Sequence, residues 1–254
     1  MPLFKKEKIV YYPGCLTKFK LKKQFELYKK ILGKLKIDFI VLDEFLCCGN
    51  KIFDLGYETE ARKLARRNLK IFKDNKINKV ITNCPECYKF FSQNCREMMP
   101  DWDIEIEHIL ITILKKLEKI KITKEKEKIG YHDNCYLGRY SKLYNEPRDV
   151  LNLLGYEIVE FKENKKNADC CGACGALPMI DSELAGKIAE NLIKKAKYEN
   201  IDKIVTVGEC YLHLKDIAKE KGIEIFEISE IIAKALDIGV EEENENEAGE
   251  RNGG

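Results

Sequence analysis

The residues of this chain best suited to chemistry are its cysteines, eleven in 254 residues, and their spacing is unusual. Two neighbouring pairs stand out, Cys47-Cys48-Gly49 and Cys170-Cys171-Gly172-Ala173-Cys174. Adjacent cysteines make a poor disulfide, because their Cα atoms lie only about 3.8 Å apart, below the usual range for a bridged pair. Two thiolates followed by a glycine, which lets the backbone turn tightly, suit one soft metal centre better. The other cysteines are Cys15, Cys84 and Cys87, Cys95, Cys135 and Cys210. Zinc takes four ligands, commonly from two Cys-x2-Cys pairs, whereas the first half offers a vicinal pair within a larger set. The Cys-x2-Cys-x2-Cys run of a cubane ferredoxin is absent. An odd count, with no apolar stretch behind Met1-Pro2-Leu3-Phe4-Lys5-Lys6, argues against a secreted disulfide scaffold.

Cys15, Cys47-Cys48 and Cys84, and likewise Cys135, Cys170-Cys171 and Cys210, each sit just past a segment that reads as a strand. Residues 8–12 lead to Cys15, 38–42 to Cys47, and 79–82 to Cys84. Helical periodicity covers 17–35 and 57–74, and Pro85 suits the first turn of another helix. A strand over 104–107 and a helix over 110–117 complete the series. The order then repeats. Ile129 to Cys135 matches Ile9 to Cys15 at an offset of 120, and residues 157–161, 203–207 and 223–228 follow as strands. An internal duplication is the simplest reading. The expectation is an α/β fold of two tandem, pseudo-repeated βα lobes with largely parallel sheets, over 8–118 and 129–238, and a disordered acidic tail over 239–254. The cysteines then gather at the C-terminal edge of each sheet, where open parallel sheets bind ligands. Helices starting beside Cys15 and Cys84 would point positive dipole ends at an anionic thiolate site.

Composition narrows the partners. A net charge of +2 gives no basic field for a nucleic acid. No apolar run reaches the roughly 18 residues of a transmembrane segment, so a cytoplasmic protein is expected. The Lys and Glu bias, with Gln only at 24 and 93, leans towards a heat-adapted host. Lacking a ferredoxin motif and a Gly-x-Gly-x2-Gly loop, the chain would draw electrons from a partner subunit.

The paired Cys-Cys-Gly repeat resembles the cysteine-rich CCG domain of the heterodisulfide reductase B subunit, its single-chain relatives, and the iron–sulfur subunits of glycolate oxidase and lactate utilisation. Tyr131-His132-Asp133-Asn134-Cys135-Tyr136-Leu137-Gly138-Arg139-Tyr140, with Tyr144, Pro147 and Arg148, is very like that family's second repeat. The likeness extends over about residues 8–236. It implies a 4Fe-4S cluster, non-cubane at the first site, held by Cys15, Cys47, Cys48, Cys84 and Cys87. A second cluster would use Cys135, Cys170, Cys171 and Cys210; there His213 stands at the fifth position, and Cys174 is an extra thiol. The implied function is an oxidoreductase subunit of heterodisulfide-reductase type acting on a small thiol or disulfide. Alternatives are an electron relay in a 2-hydroxy-acid (lactate or glycolate) oxidase, or a structural metal-binding protein. The implied donor is a ferredoxin-type or flavoprotein subunit. His132 is a candidate proton donor, with Asp133 either sharing that task or capping a turn. Arg139 and Arg148 read as solvated charges or as partners for an acidic substrate, Cys95 as a buried apolar thiol and His108 as structural. The lysines between 18 and 36 read as solvated, or as a dock for an acidic donor.

Overall fold

A computed structural model describes residues 8–120 and 127–239. Two parallel sheets organise it. The first runs β1 (Ile9–Tyr11), β2 (Lys79–Thr82), β3 (Glu105–His108); the second runs β5 (Tyr156–Glu160), β4 (Glu127–Tyr131), β6 (Lys203–Thr206), β7 (Glu224–Glu227). Every pairing is parallel. The α/β expectation therefore holds, and the sheet order, which the sequence did not disclose, is the same in both halves once Ile40 is counted as an edge.

The strand expected over 38–42 is corrected to a single parallel bridge, Val10 with Ile40. Tyr11 N–H donates to Ile40 O at 2.8 Å, and Ile40 N–H to Ile9 O at 2.9 Å. Asp38 on one side and Asp43-Glu44 on the other are poor strand residues and exposed, so pairing stops where their counterpart β5 continues for five residues. The helix expected over 17–35 is two helices, Gly14–Phe19 and Lys22–Lys34, broken at Lys20-Leu21. Pro85 opens the helix Pro85–Lys89 as its missing N–H allows. The expected acidic tail lies, from residue 240 on, outside the described residues.

The packing explains why the halves stay together. One core joins Tyr28, Ile31 and Leu32 of the first half with Val150, Leu151, Ile231 and Ile232 of the second. Helix Lys22–Lys34 packs on helix Ile228–Ala235, and helix Ile109–Leu117 on helix Glu146–Leu153. Each half also has a core of its own. In the first, helix Glu58–Asp74 buries Ala61, Ala65, Leu69 and Phe72, one stripe of an amphipathic helix. In the second, Ala189, Leu192, Ile193 and Ala196 of helix Ser182–Tyr198 do the same. This stacking aims the C-terminal edges of both sheets, and the loops beyond them, at a common boundary. Among the described residues no helix is long and apolar enough to cross a membrane.

Candidate functional site

All eleven cysteines are free thiols. In the first half, Cys87 Sγ lies 3.3 Å from Cys48 Sγ, and Cys87 N–H donates to Cys84 Sγ at 3.4 Å. Cys15 lies against Cys47, whose thiol, together with burial, holds the Cys15 proton well above its usual range. Cys48 goes the other way, to about 6, because Cys47 and Cys87 both hydrogen-bond to its sulfur. A metal bound here would take the place of the thiol protons. Three backbone features make the approach. Gly14 has φ +75°, and a Cβ there would stand 2.8 Å from Cys84 Cβ. Gly49 turns the chain after the pair at φ +104°. Asn68 Nδ2 donates to Cys47 O at 3.0 Å, and Tyr12 O–H to Leu46 O, which pins the loop.

The second half builds the same object. Cys171 Sγ lies 2.9 Å from Cys210 Sγ, and Gly172 N–H donates to Cys170 Sγ at 3.3 Å. Cys135 touches both Cys170 and Cys174, so the extra thiol joins this group. His213 does not: its Nε2 faces Ala185 O at 3.2 Å. Hydrogen bonding from Cys171, with further help from His132 and Asn134, takes Cys210 down to about 5 against the opposing effect of burial. His132 is buried, its Nδ1 3.1 Å from Thr206 Oγ1 and its Nε2 3.1 Å from Asp169 O. Cys95 is fully buried, and burial pushes its thiol up; no sulfur contact to it is found among the described residues. His108 caps helix Ile109–Leu117 and, at about 3 through burial, is neutral.

A family model described as a cysteine-rich domain, CCG, matches residues 9–92 and again 129–215. The chain belongs to the CCG cysteine-rich domain family. The D subunit of the dihydromethanophenazine:CoB–CoM heterodisulfide reductase of Methanosarcina acetivorans is 31% identical over 250 residues, covering 93% of this chain and 61% of the relative. An uncharacterised iron–sulfur protein of Methanocaldococcus jannaschii is 27% identical over 240 residues, 91% of this chain and 47% of that one. EtfAB:quinone oxidoreductase of Syntrophomonas wolfei is 28% identical over 244 residues, 89% and 34%. The chain therefore spans between a third and two thirds of the length of these relatives. Both CCG segments contain the thiols gathered above, and Cys95 falls outside them.

Two features of the CCG pair were not legible in the sequence. Arg148 is neither solvated nor free for a substrate: its Nη1 and Nη2 each donate to Asp133 at 2.8 Å, and its Nε to Glu160 at 2.6 Å. Asp133 also accepts Lys165 N–H at 2.8 Å at the start of the turn Lys165–Asn167, so it bears out the turn-capping reading and anchors the loop that carries His132, Asn134 and Cys135. Between the two thiol groups lies a cleft lined by Thr17, Cys84, Glu86, Asn134, Cys174 and Glu209. Cys174 Sγ is 3.6 Å from Glu209, and Lys51 pairs with Glu209 across the boundary. Burial and the Glu209 charge push Glu86 up to about 8, against Lys51. Glu86, Cys174 and Glu209 could by themselves approach one cation, and the Lys51 ammonium pairs with Glu209 among them. Sequence alone offered one hint: Lys51 and Cys174 both stand three residues after the second cysteine of their pair.

Proposed function

We propose that each thiol group holds a 4Fe-4S cluster and that the chain is an iron–sulfur oxidoreductase subunit of heterodisulfide-reductase type, its lobes spanning 8–118 and 129–238. One observation carries this: five free thiols from three loops meet at the C-terminal edge of a parallel sheet, twice in one chain. The donor set fits iron and sulfide better than zinc, which needs four ligands. At the first site the ligands are Cys15, Cys47, Cys48, Cys84 and Cys87. At the second they are Cys135, Cys170, Cys171 and Cys210, with Cys174 as the fifth thiol in place of His213, which is turned to a carbonyl.

Such clusters supply single electrons and an iron soft enough to take a substrate sulfur. The chain's own residues do the rest. Buried Cys48, Cys87, Cys171 and Cys210 keep water from the inner side of each site, while Cys15, Cys84, Cys135 and Cys174 are partly open. A small thiol or disulfide would reach the sites from the side of these partly open thiols. His132, with both ring nitrogens engaged, holds the Cys210 loop and is not a proton donor to substrate. Electrons come from a ferredoxin-type or flavoprotein subunit in the cytoplasm. A relay role beside a flavoprotein is the second reading, favoured by the likeness to EtfAB:quinone oxidoreductase.

Iron and sulfide per chain after anaerobic purification test the proposal: about eight irons for two clusters, about four for one. Added thiol or disulfide should perturb the paramagnetic signal of the reduced protein; a signal indifferent to both but reducible by a flavoprotein selects the relay. Zinc without iron would leave only a structural metal site. Cys47→Ser should lose about half the iron, and Cys95→Ser none.

A further inference from the structure

Asn134 and Gly14 occupy the same place in the two repeats, immediately before Cys135 and Cys15. At Gly14 no side chain fits, since a Cβ would lie 2.8 Å from Cys84 Cβ and 3.2 Å from the sulfurs of Cys84 and Cys87. Cys84 has no need of one. It is the N-cap of helix Pro85–Lys89, and the N–H of Cys87, at 3.4 Å, reaches its sulfur.

Cys210 is placed differently. Its helix begins one residue earlier, at Glu209, so Cys210 lies inside the first turn and not at the cap. The following amides turn back to helix carbonyls; Leu212 N–H, for one, bonds Gly208 O. Asn134 fills the gap, beside His132, whose ring also bears on the Cys210 sulfur. Asn134 Nδ2 lies 3.3 Å from Cys210 Sγ, while its Oδ1 accepts Leu137 N–H at 3.0 Å, which fixes the amide so that the NH2 group faces sulfur. Asn134 is only 3% exposed, so water does not compete for this bond.

We infer that Asn134 is a redox-tuning residue of the second site: its amide, hydrogen-bonded to the Cys210 sulfur, biases a cluster held there towards the reduced state. Hydrogen bonds to the sulfurs are among the factors that set an iron–sulfur potential, and a bond to an anionic sulfur in a buried setting is stronger than a neutral one in water. The first repeat uses a backbone amide for the corresponding thiol, which substitution cannot remove. The second uses a side chain, which substitution can. This inference rests on the cluster reading of the second site.

Redox titration of the anaerobic full chain, followed by electron paramagnetic resonance, tests it on Asn134→Ala and Asn134→Asp. Neither variant presents an N–H to Cys210, and the second keeps the acceptor for Leu137. With iron content at the wild-type level, one cluster midpoint should move to a more negative potential in both variants while the other stays. Unchanged midpoints, or equal shifts of both, overturn the inference. So does loss of half the iron in both variants, which would make Asn134 a scaffold of the Cys135 loop. The wild-type iron count judges the cluster reading separately: iron at the first site alone defeats that reading and this inference together, whereas full iron with immobile midpoints defeats only the inference.

Discussion

A methyl group at position 14 has nowhere to go. Gly14 holds φ +75° with the Cys84 and Cys87 sulfurs against its face, so Gly14→Ala should displace the first thiol group and cost about half the bound iron while the second site keeps its own. Gly186 is the contrast: it lies mid-helix in Ser182–Tyr198 with open space around it, and Gly186→Ala should raise stability by about 0.5–1 kcal/mol in denaturant unfolding with iron unchanged. Arg148 is the costly buried charge. Its side chain is 8% exposed and that of Asp133 3%, so Arg148→Met leaves a buried carboxylate with no counter-charge and only the Lys165 N–H to hold it, and should destabilise by about 3–5 kcal/mol. A smaller loss in urea titration would mean that Asp133 finds another partner. The thiols were readable at this scale because residue type and spacing alone define a soft-metal site. Arg148 was not, because nothing local says that a helix residue turns inward onto a carboxylate fifteen positions earlier.

Elements show where local pattern stops deciding structure. The duplication was legible from strand, cysteine and helix recurring in one order, and β1, β2, β4 and β6 all end just before their cysteines. The strand over 38–42 was not, since apolar Phe39-Ile40-Val41-Leu42 suggests a buried strand while the acidic residues at either end stop the ladder after one bridge. Cap chemistry was also hidden, and it makes a pH prediction. Glu227 ends β7, caps helix Ile228–Ala235, and accepts from Tyr28 O–H at 2.9 Å and Ser229 N–H at 2.8 Å. Burial pushes its carboxyl from 4.5 up to about 7, with the Ser229 and Tyr28 hydrogen bonds opposing. The folded protein thus holds this proton more tightly than the unfolded chain does. Its contribution favours folding below about pH 4.5 and is lost as pH rises through about 7. Glu227→Gln cannot lose it, so the variant should gain on the wild type by on the order of 3 kcal/mol between about pH 4.5 and 8, at about 1.4 kcal/mol for each pH unit separating the folded and unfolded values. Urea unfolding of both proteins across that range measures it; parallel pH profiles would show that Glu227 titrates as a free carboxyl.

The molecule as a whole carries two sites but shares one core. The two CCG segments could have been independent lobes on a string, and the sequence gives no reason to prefer otherwise. The packing does: Tyr28, Ile31 and Leu32 of the first half are buried in one core with helices of the second. Tyr136 O–H to Asp54, and Lys51 to Glu209, tie the same boundary on the side of the thiol groups. A shared core implies shared unfolding, and the single tryptophan makes that measurable. Trp102 lies in the first half, packed on Phe91 and Phe72, so its fluorescence reports that half alone, whereas far-ultraviolet dichroism reports both. Ile232 belongs to the second half and is fully buried at the boundary. Ile232→Ala should cost about 2–5 kcal/mol, and in the reduced, metal-free protein it should lower the Trp102 midpoint as far as the dichroism midpoint, with both curves coinciding as one cooperative transition. If Trp102 instead unfolds at its wild-type denaturant concentration while the dichroism splits into two steps, the halves are separate folding units. The geometry between the two thiol groups, on which the cleft depends, would then rest on the surface ties alone.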